Sequence, residues 1–173
     1  MKLHTLFKTI INLNEVLNTV IPPDKWEQRD EVLVGTLIID SDSYEIYLEP
    51  ITYTVDDKTF DVINVAFAKI VNGKASRKLT LNNKSSSKIL GAIINALYDK
   101  IKQFKYDAIV FIARDNVEKR MTLYNRIARN KGGNFLISKE NIPIINGGVA
   151  TVLYDKDFPD KYMDRFEQQI KSK

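Results

Sequence analysis

The side chains that most often carry enzyme chemistry are scarce in this sequence. Its 173 residues include no cysteine, which excludes a thiol nucleophile, a disulfide scaffold and every thiolate metal site. The only histidine is His4, so zinc or iron held by several imidazoles is excluded, as is nearly any Ser-His-Asp arrangement. Any chemistry must therefore use carboxylates, hydroxyls, phenols or amines.

Two acidic clusters have the look of calcium-binding loops. They are Asp40-Ser41-Asp42 and Asp155-Lys156-Asp157. Neither is followed by the glycine at loop position six and the bidentate glutamate at position twelve that such a loop needs. We interpret both clusters as turns and expect no metal site.

Basic residues are concentrated in and around one predicted helix in the second half of the chain. They could contact nucleic-acid phosphate or an acidic protein, and they are Arg114, Lys119, Arg120, Arg126, Arg129 and Lys131. The net charge of the whole chain is only +4, and no helix-turn-helix, RNA-recognition or zinc pattern accompanies these residues. The sequence therefore favours a protein partner over nucleic acid.

The composition is that of a globular protein, with 44% hydrophobic and 28% charged residues. The length favours a single domain over residues 1–173. Apolar residues at helical spacing predict an amphipathic helix over about residues 3–19, closed by Pro22-Pro23. Polar residues interrupt this segment and no apolar run reaches the ~20 residues of a membrane helix, so we expect no membrane partner and a cytoplasmic location.

The next part of the chain alternates as strands do. Val32 to Ile39 is β-branched and apolar on both faces, and residues 44–49 alternate apolar and polar after a turn at 40–43. Phe60 to Val71 is a further strand, and Asn72-Gly73 predicts a tight hairpin into a short strand from Arg77 to Leu81. Four sequential strands with tight turns predict an antiparallel meander.

After residue 82 the period changes from two to 3.6. We predict a helix from Ile89 to Phe104, a buried strand from Ala108 to Ala113, and a helix over about residues 117–130. Further strands are predicted over residues 135–138, 142–145 and 149–154, followed by an amphipathic helix over about residues 158–171. The fold class is therefore α+β, a mixed α/β arrangement of a meander followed by β-α-β-α and terminal strands.

This order of elements resembles the GNAT acetyltransferase superfamily. Residues 92–97 are similar to the family's central helix, and the Leu123-Tyr124 pair resembles a Leu-Tyr pair in the helix after an apolar strand. The segment from Asp107 to Arg129 is most similar to GNAT-like proteins of tailed bacteriophages. The resemblance covers about residues 60–155.

The resemblance implies an acetyl-CoA site. Its pyrophosphate would lie at the start of the central helix, on residues at 84–91, and Tyr124 would protonate the departing thiolate. The cofactor-binding residues would be Lys84, Ser85, Ser86, Ser87, Lys88 and Gly91. Glu45, Glu49 and Asp61 lie on strands where such enzymes keep a general base.

The phosphate loop departs from the family pattern. The glycines that let backbone N–H groups close on phosphate are absent before Gly91, and the bulk of Lys88 and Leu90 hinders a close cradle. We therefore expect a degenerate site with no bound cofactor. The expected role is a structural or partner-binding component of a virion or of host takeover, in the host cytoplasm or the virion. The alternative is a CoA-dependent N-acetyltransferase acting on an amine.

Overall fold

The structure is a computed structural model that describes residues 26–39, 41–76, 105–114, 137–145 and 147–172, together with residues 95, 100, 117, 118, 120–122, 124 and 125. Within these residues eight strands form one sheet. They are β1 (Trp26–Arg29), β2 (Val32–Ile39), β3 (Asp42–Val55), β4 (Lys58–Val71), β5 (Lys74–Ser76), β6 (Ala108–Ala113), β7 (Ile137–Ile144) and β8 (Gly148–Tyr154). A closing helix spans Asp160–Lys171. The class is α+β, as predicted.

The strand order is β1-β2-β3-β4-β6-β8-β7, and β5 pairs with β4. Only β4 and β6 are parallel among the described pairs; the others are antiparallel. The predicted meander and the predicted strand Ala108–Ala113 are confirmed. The long hairpin of β3 and β4 forms the middle of the sheet because thirteen residue pairs align from Ser43–Ile70 to Val55–Lys58.

The hairpin turn at Asn72-Gly73 is confirmed. Both residues have positive φ, 51° and 72°, as a type I′ turn requires. The strand that follows lies at Lys74–Ser76, directly after the turn, because a two-residue loop returns the chain at once to pair with β4. The predicted strand from Arg77 to Leu81 lies outside the described residues.

Two sequence-based boundaries were wrong. The meander begins one strand earlier than predicted, at β1, whose Trp26 lies against Gly35 of β2. The two strands predicted around residue 140 are one strand, β7, with an irregularity between Lys139 and Ile142. Asn141 takes a φ of 61° there, so a β-bulge breaks the alternation without ending the strand.

Each face of the sheet carries an apolar cluster. On the first face, Ile46 of β3, Phe67 of β4 and Phe111 of β6 pack with Met121 and Tyr124 of a helical segment. On the second face, the closing helix covers Phe60, Val110, Val152 and Tyr154 with Tyr162, Met163, Phe166 and Ile170. The sheet is therefore the middle layer between helices, which is why β6 is buried along nearly its whole length.

Helices are described in part. Asn95 and Lys100 are helical, in agreement with the predicted helix from Ile89 to Phe104, and so are the described residues of the 117–130 helix. The rest of these two predicted helices and the predicted helix over residues 3–19 lie outside the described residues. The closing helix is confirmed, with Pro159 at its N-cap. Among the described helical residues, no stretch is both long and apolar enough to cross a membrane.

Candidate functional site

The candidate site is a short unpaired stretch along one edge of β4. The parallel pairing of β4 with β6 runs from Val62–Ala108 to Val65–Phe111 and then stops, although both strands continue. β5 takes up the same edge from Lys69 to Val71. Residues 66–68 are left with no strand partner on this edge among the described residues.

The backbone of Phe67 faces this gap. The Asp107 N–H donates to the carbonyl of Asp61, and the Asp61 N–H donates to a carboxylate oxygen of Asp107, both at 2.8 Å. The backbone N–H and carbonyl of Asp61 thus point toward β6. Because backbone groups alternate along a strand, those of Phe67, six residues later, point to the same edge.

Arg120 fills the gap from the helical segment above it. Its Nη1 donates to the Phe67 carbonyl at 3.2 Å, and its guanidinium lies 5.2 Å from the centre of the Phe67 ring. The side chain is only 9% exposed. Arg120 therefore satisfies a backbone acceptor that the ending of the β4–β6 ladder leaves unpaired.

Tyr124 lies one helical turn after Arg120, so the two side chains share a helix face. Its ring stacks on Phe111 at 4.9 Å and meets Phe67 edge-on at 6.0 Å. Tyr124 is fully buried, and its hydroxyl has no hydrogen-bond partner among the described residues. Thr151 of β8 holds the same segment by donating to the Asn125 side-chain oxygen at 3.0 Å.

Burial raises the pKa of the Tyr124 phenol, and the nearby Arg120 guanidinium opposes this rise only in part. The neutral phenol is therefore the stable form of this side chain. The hydroxyl lies in the first-face core rather than in an open cleft.

The predicted loop residues lie outside the described part of the chain. They are Lys84, Ser85, Ser86, Ser87, Lys88 and Gly91. Their role in holding the pyrophosphate of acetyl-CoA remains a prediction.

The carboxylates considered as general bases do not meet Tyr124. Ile46 points to the first face, so Glu45 and Glu49 on the same strand point to the second. Glu45 is bound by Arg29 Nη1 at 2.9 Å and by the Tyr47 hydroxyl, while Glu49 accepts from the Asn64 amide at 3.0 Å. Burial and the Glu45 hydrogen bond raise the pKa of Tyr47 to about 12.

Asp61 lies on the same face as Tyr124 but far along the sheet. It is six residues from Phe67 on one strand, a separation of about 20 Å at ~3.3 Å per residue. The described residues thus do not bring an acid and a base together beside Tyr124. They also contain no group of three or more residues that could hold a metal ion.

The sequence alone does not show whether Arg120 points into the protein or to solvent. The structure places it inside the protein, against Phe67. The only available sign in the sequence was the i, i+4 spacing of Arg120 and Tyr124, because a polar residue beside an apolar helix face can lie on either side of it.

Comparison with known proteins gives one likeness. No family model and no solved structure matches the chain. Among curated proteins, "Probable aminopeptidase 1" from Saccharolobus solfataricus is 30% identical over 141 residues. The match covers 75% of this chain but 17% of that protein, so the chain spans about a sixth of its relative. A likeness to so small a part does not establish the family.

Proposed function

We propose that this chain is a GNAT-like protein of the bacteriophage type with a degenerate acetyl-CoA site. It acts by binding a protein partner or further subunits, as a component of a virion or of host takeover. Its place of action is the host cytoplasm or the virion.

The filled gap beside β4 is the observation that carries this proposal. Arg120 already donates a hydrogen bond to the Phe67 carbonyl, and the Tyr124 ring packs between Phe67 and Phe111. A ligand lying along this edge would have to displace a buried arginine and leave its charge to be accommodated elsewhere. Such displacement is costly, because a buried guanidinium depends on its hydrogen bonds.

We expect the partner to bind a face of the sheet or a helix rather than the edge strands β1 and β7. β1 has four residues and carries exposed Glu27 and Arg29, while β7 carries a bulge and an exposed Pro143. Short, charged, bulged or proline-bearing strands oppose edge-to-edge pairing.

One observation favours the alternative, a CoA-dependent N-acetyltransferase with Tyr124 as general acid. β4 and β6 are parallel and separate after Val65–Phe111, which leaves backbone donors and acceptors available if Arg120 moves aside. Tyr124 stands at the point of separation.

We do not propose peptide hydrolysis, the activity named for the Saccharolobus solfataricus relative, for this chain. The sequence contains a single histidine and no cysteine, so it cannot itself supply a zinc site of the two-histidine type.

Calorimetric titration with acetyl-CoA separates the two functions. We expect no binding heat at millimolar acetyl-CoA for the unchanged protein. The proposal would be overturned by micromolar binding of acetyl-CoA together with release of free CoA in the presence of amines, if that release is lost in Tyr124→Phe.

Two arginine variants sharpen this test. Arg120→Ala removes the side chain that fills the gap, whereas Arg165→Ala removes an exposed arginine on the closing helix that pairs with Asp56. If Arg120 closes a residual site, only Arg120→Ala gains measurable affinity for acetyl-CoA. Equal behaviour of the two folded variants would show that the gap is no remnant of a cofactor site.

The partner-binding part needs its own measurement. Sedimentation velocity should show species larger than the 19.9 kDa monomer, or crosslinking of purified virions should recover peptides of this chain. A protein that stays monomeric and is absent from particles would contradict this part of the proposal.

A further inference from the structure

A second site lies near the opposite end of the β4–β6 pair and is independent of the proposed function. It is a half-open hollow of about 210 Å³ between β3, β4 and the two residues that lead into β6. Pro50 and the half-buried Tyr106 ring supply the apolar lining, and Asp61 and Lys105 supply the charged groups. Ile51 and Val62 border the hollow, but their side chains belong to the second-face cluster.

The two charges in the hollow are opposite and are not paired with each other. The structure shows no ion pair between the Asp61 carboxylate and the Lys105 ammonium, although both line the same space. The Asp61 backbone groups, by contrast, are both engaged with Asp107. Neither the Asp61 carboxylate nor the Lys105 ammonium forms an ion pair with another described residue, so we treat both as ligand-binding groups.

The rim of the hollow is held in place. Asp107 is tied to β4 by its two hydrogen bonds with Asp61, and its carbonyl accepts from the Asp155 N–H at 2.8 Å. Lys105 and Tyr106 directly precede this anchor. Tyr106 is half-buried against the first-face cluster, where burial and the Asp61 charge raise the pKa of its phenol. A site with a fixed rim costs less to order when a ligand binds.

We propose that this hollow binds a free α-amino acid with an apolar side chain. A ligand with only an amine would be attracted by Asp61 but repelled by Lys105. A ligand with only a carboxylate would be attracted by Lys105 but repelled by Asp61. A zwitterion offers an ammonium to Asp61 and a carboxylate to Lys105 at once. Pro50 and the Tyr106 ring then contact the side chain.

The volume agrees with a ligand of this size. A cavity of about 150 Å³ holds a benzene molecule, so about 210 Å³ accommodates a ring or a branched aliphatic chain. Because the hollow is half open, the expected Kd is on the order of 1 mM.

The test is an NMR titration of the ¹⁵N-labelled chain with L-phenylalanine, phenethylamine and 3-phenylpropionate. The two analogues each lack one charge of the amino acid. We expect saturable shifts at the amides of residues 51, 52, 62 and 107 with L-phenylalanine, and at least about tenfold weaker binding of both analogues.

Variants assign the two contacts. Asp61→Asn and Lys105→Gln should each weaken L-phenylalanine binding by about tenfold, since each removes one charged hydrogen-bonding partner. Asp157→Asn and Lys74→Gln change exposed residues outside the hollow and should leave binding unchanged. Circular dichroism verifies that each variant is folded.

Three results would overturn the inference. They are the absence of saturable shifts with L-phenylalanine up to 10 times the expected ~1 mM Kd, equal binding of either analogue, and unchanged binding in both folded site variants. None of them bears on acetyl-CoA, so the failure of this site is distinguishable from failure of the proposed function.

Discussion

Removal of the Tyr124 hydroxyl tests whether this side chain is core or catalyst. In Tyr124→Phe the ring that stacks on Phe111 and meets Phe67 is retained, and only the buried oxygen is lost. The hydroxyl has no hydrogen-bond partner among the described residues. We therefore expect the free energy of unfolding to stay constant or to rise.

The magnitude follows from two opposing contributions. A buried hydroxyl without a partner costs about 1–3 kcal/mol of desolvation, which the phenylalanine avoids. The Arg120 guanidinium loses a favourable dipole beside it, which returns part of that gain. The expected net change lies between no effect and about 1 kcal/mol of stabilisation, or a rise in Tm of up to ~4 °C for a chain of this size.

Tyr154→Phe is the matched control. Tyr154 is also fully buried, but its hydroxyl donates to Glu167 at 3.5 Å. This variant should lose about 1 kcal/mol because the hydrogen bond to a charged acceptor disappears. Urea unfolding followed by circular dichroism gives both values. A loss above ~2 kcal/mol in Tyr124→Phe would show that its hydroxyl has a partner and would refute the reasoning.

Three further predictions concern other parts of the sheet. Gly35→Ala should destabilise the protein by about 1–3 kcal/mol and shift the emission of Trp26, the only tryptophan, because the added methyl would lie 2.8 Å from its ring. Tyr47 should ionise near pH 12 in an absorbance titration, and at lower pH in Glu45→Gln. The free energy of unfolding should fall as pH rises from about 10 through 12, because Tyr47 releases its proton at lower pH in the unfolded chain than in the folded protein. Phe166→Ala should cost about 3–5 kcal/mol in chemical unfolding, since this ring has four aromatic neighbours at 4.9–6.3 Å; a loss below ~1 kcal/mol would mean that the second-face cluster is loosely packed.

Elements with a strong local pattern could be predicted from the sequence. β2 and β6 have the predicted bounds because continuous apolar runs ended by turn residues need no information from elsewhere in the chain. The closing helix was predictable from its proline start and its buried stripe at helical spacing.

Elements that depend on distant residues could not be predicted. β1 is Trp-Glu-Gln-Arg, which lacks an alternating pattern and becomes a strand only through its register with β2. The bulge at Asn141 likewise depends on pairing with β8. Local preferences are too weak to reveal either feature.

The surroundings of the candidate site likewise depend on residues distant in sequence. Tyr124 could be selected from the sequence, but its surroundings are supplied by β4 and β6, which lie far away along the chain. That Glu45 and Glu49 are on the opposite face follows from simple alternation once the face of Ile46 is known. The sequence alone shows the alternation but not which face Tyr124 covers.

The buried position of Arg120 is explained by the sheet without any catalytic role. Where β4 and β6 separate, the Phe67 carbonyl would be buried and unpaired, which costs about 1–3 kcal/mol. A buried guanidinium is also unfavourable unless it is hydrogen-bonded. The contact of Arg120 with Phe67 reduces both costs at once, and the Phe67 ring adds a cation–π contact. A gap filled in this way by the protein's own side chain does not need a ligand.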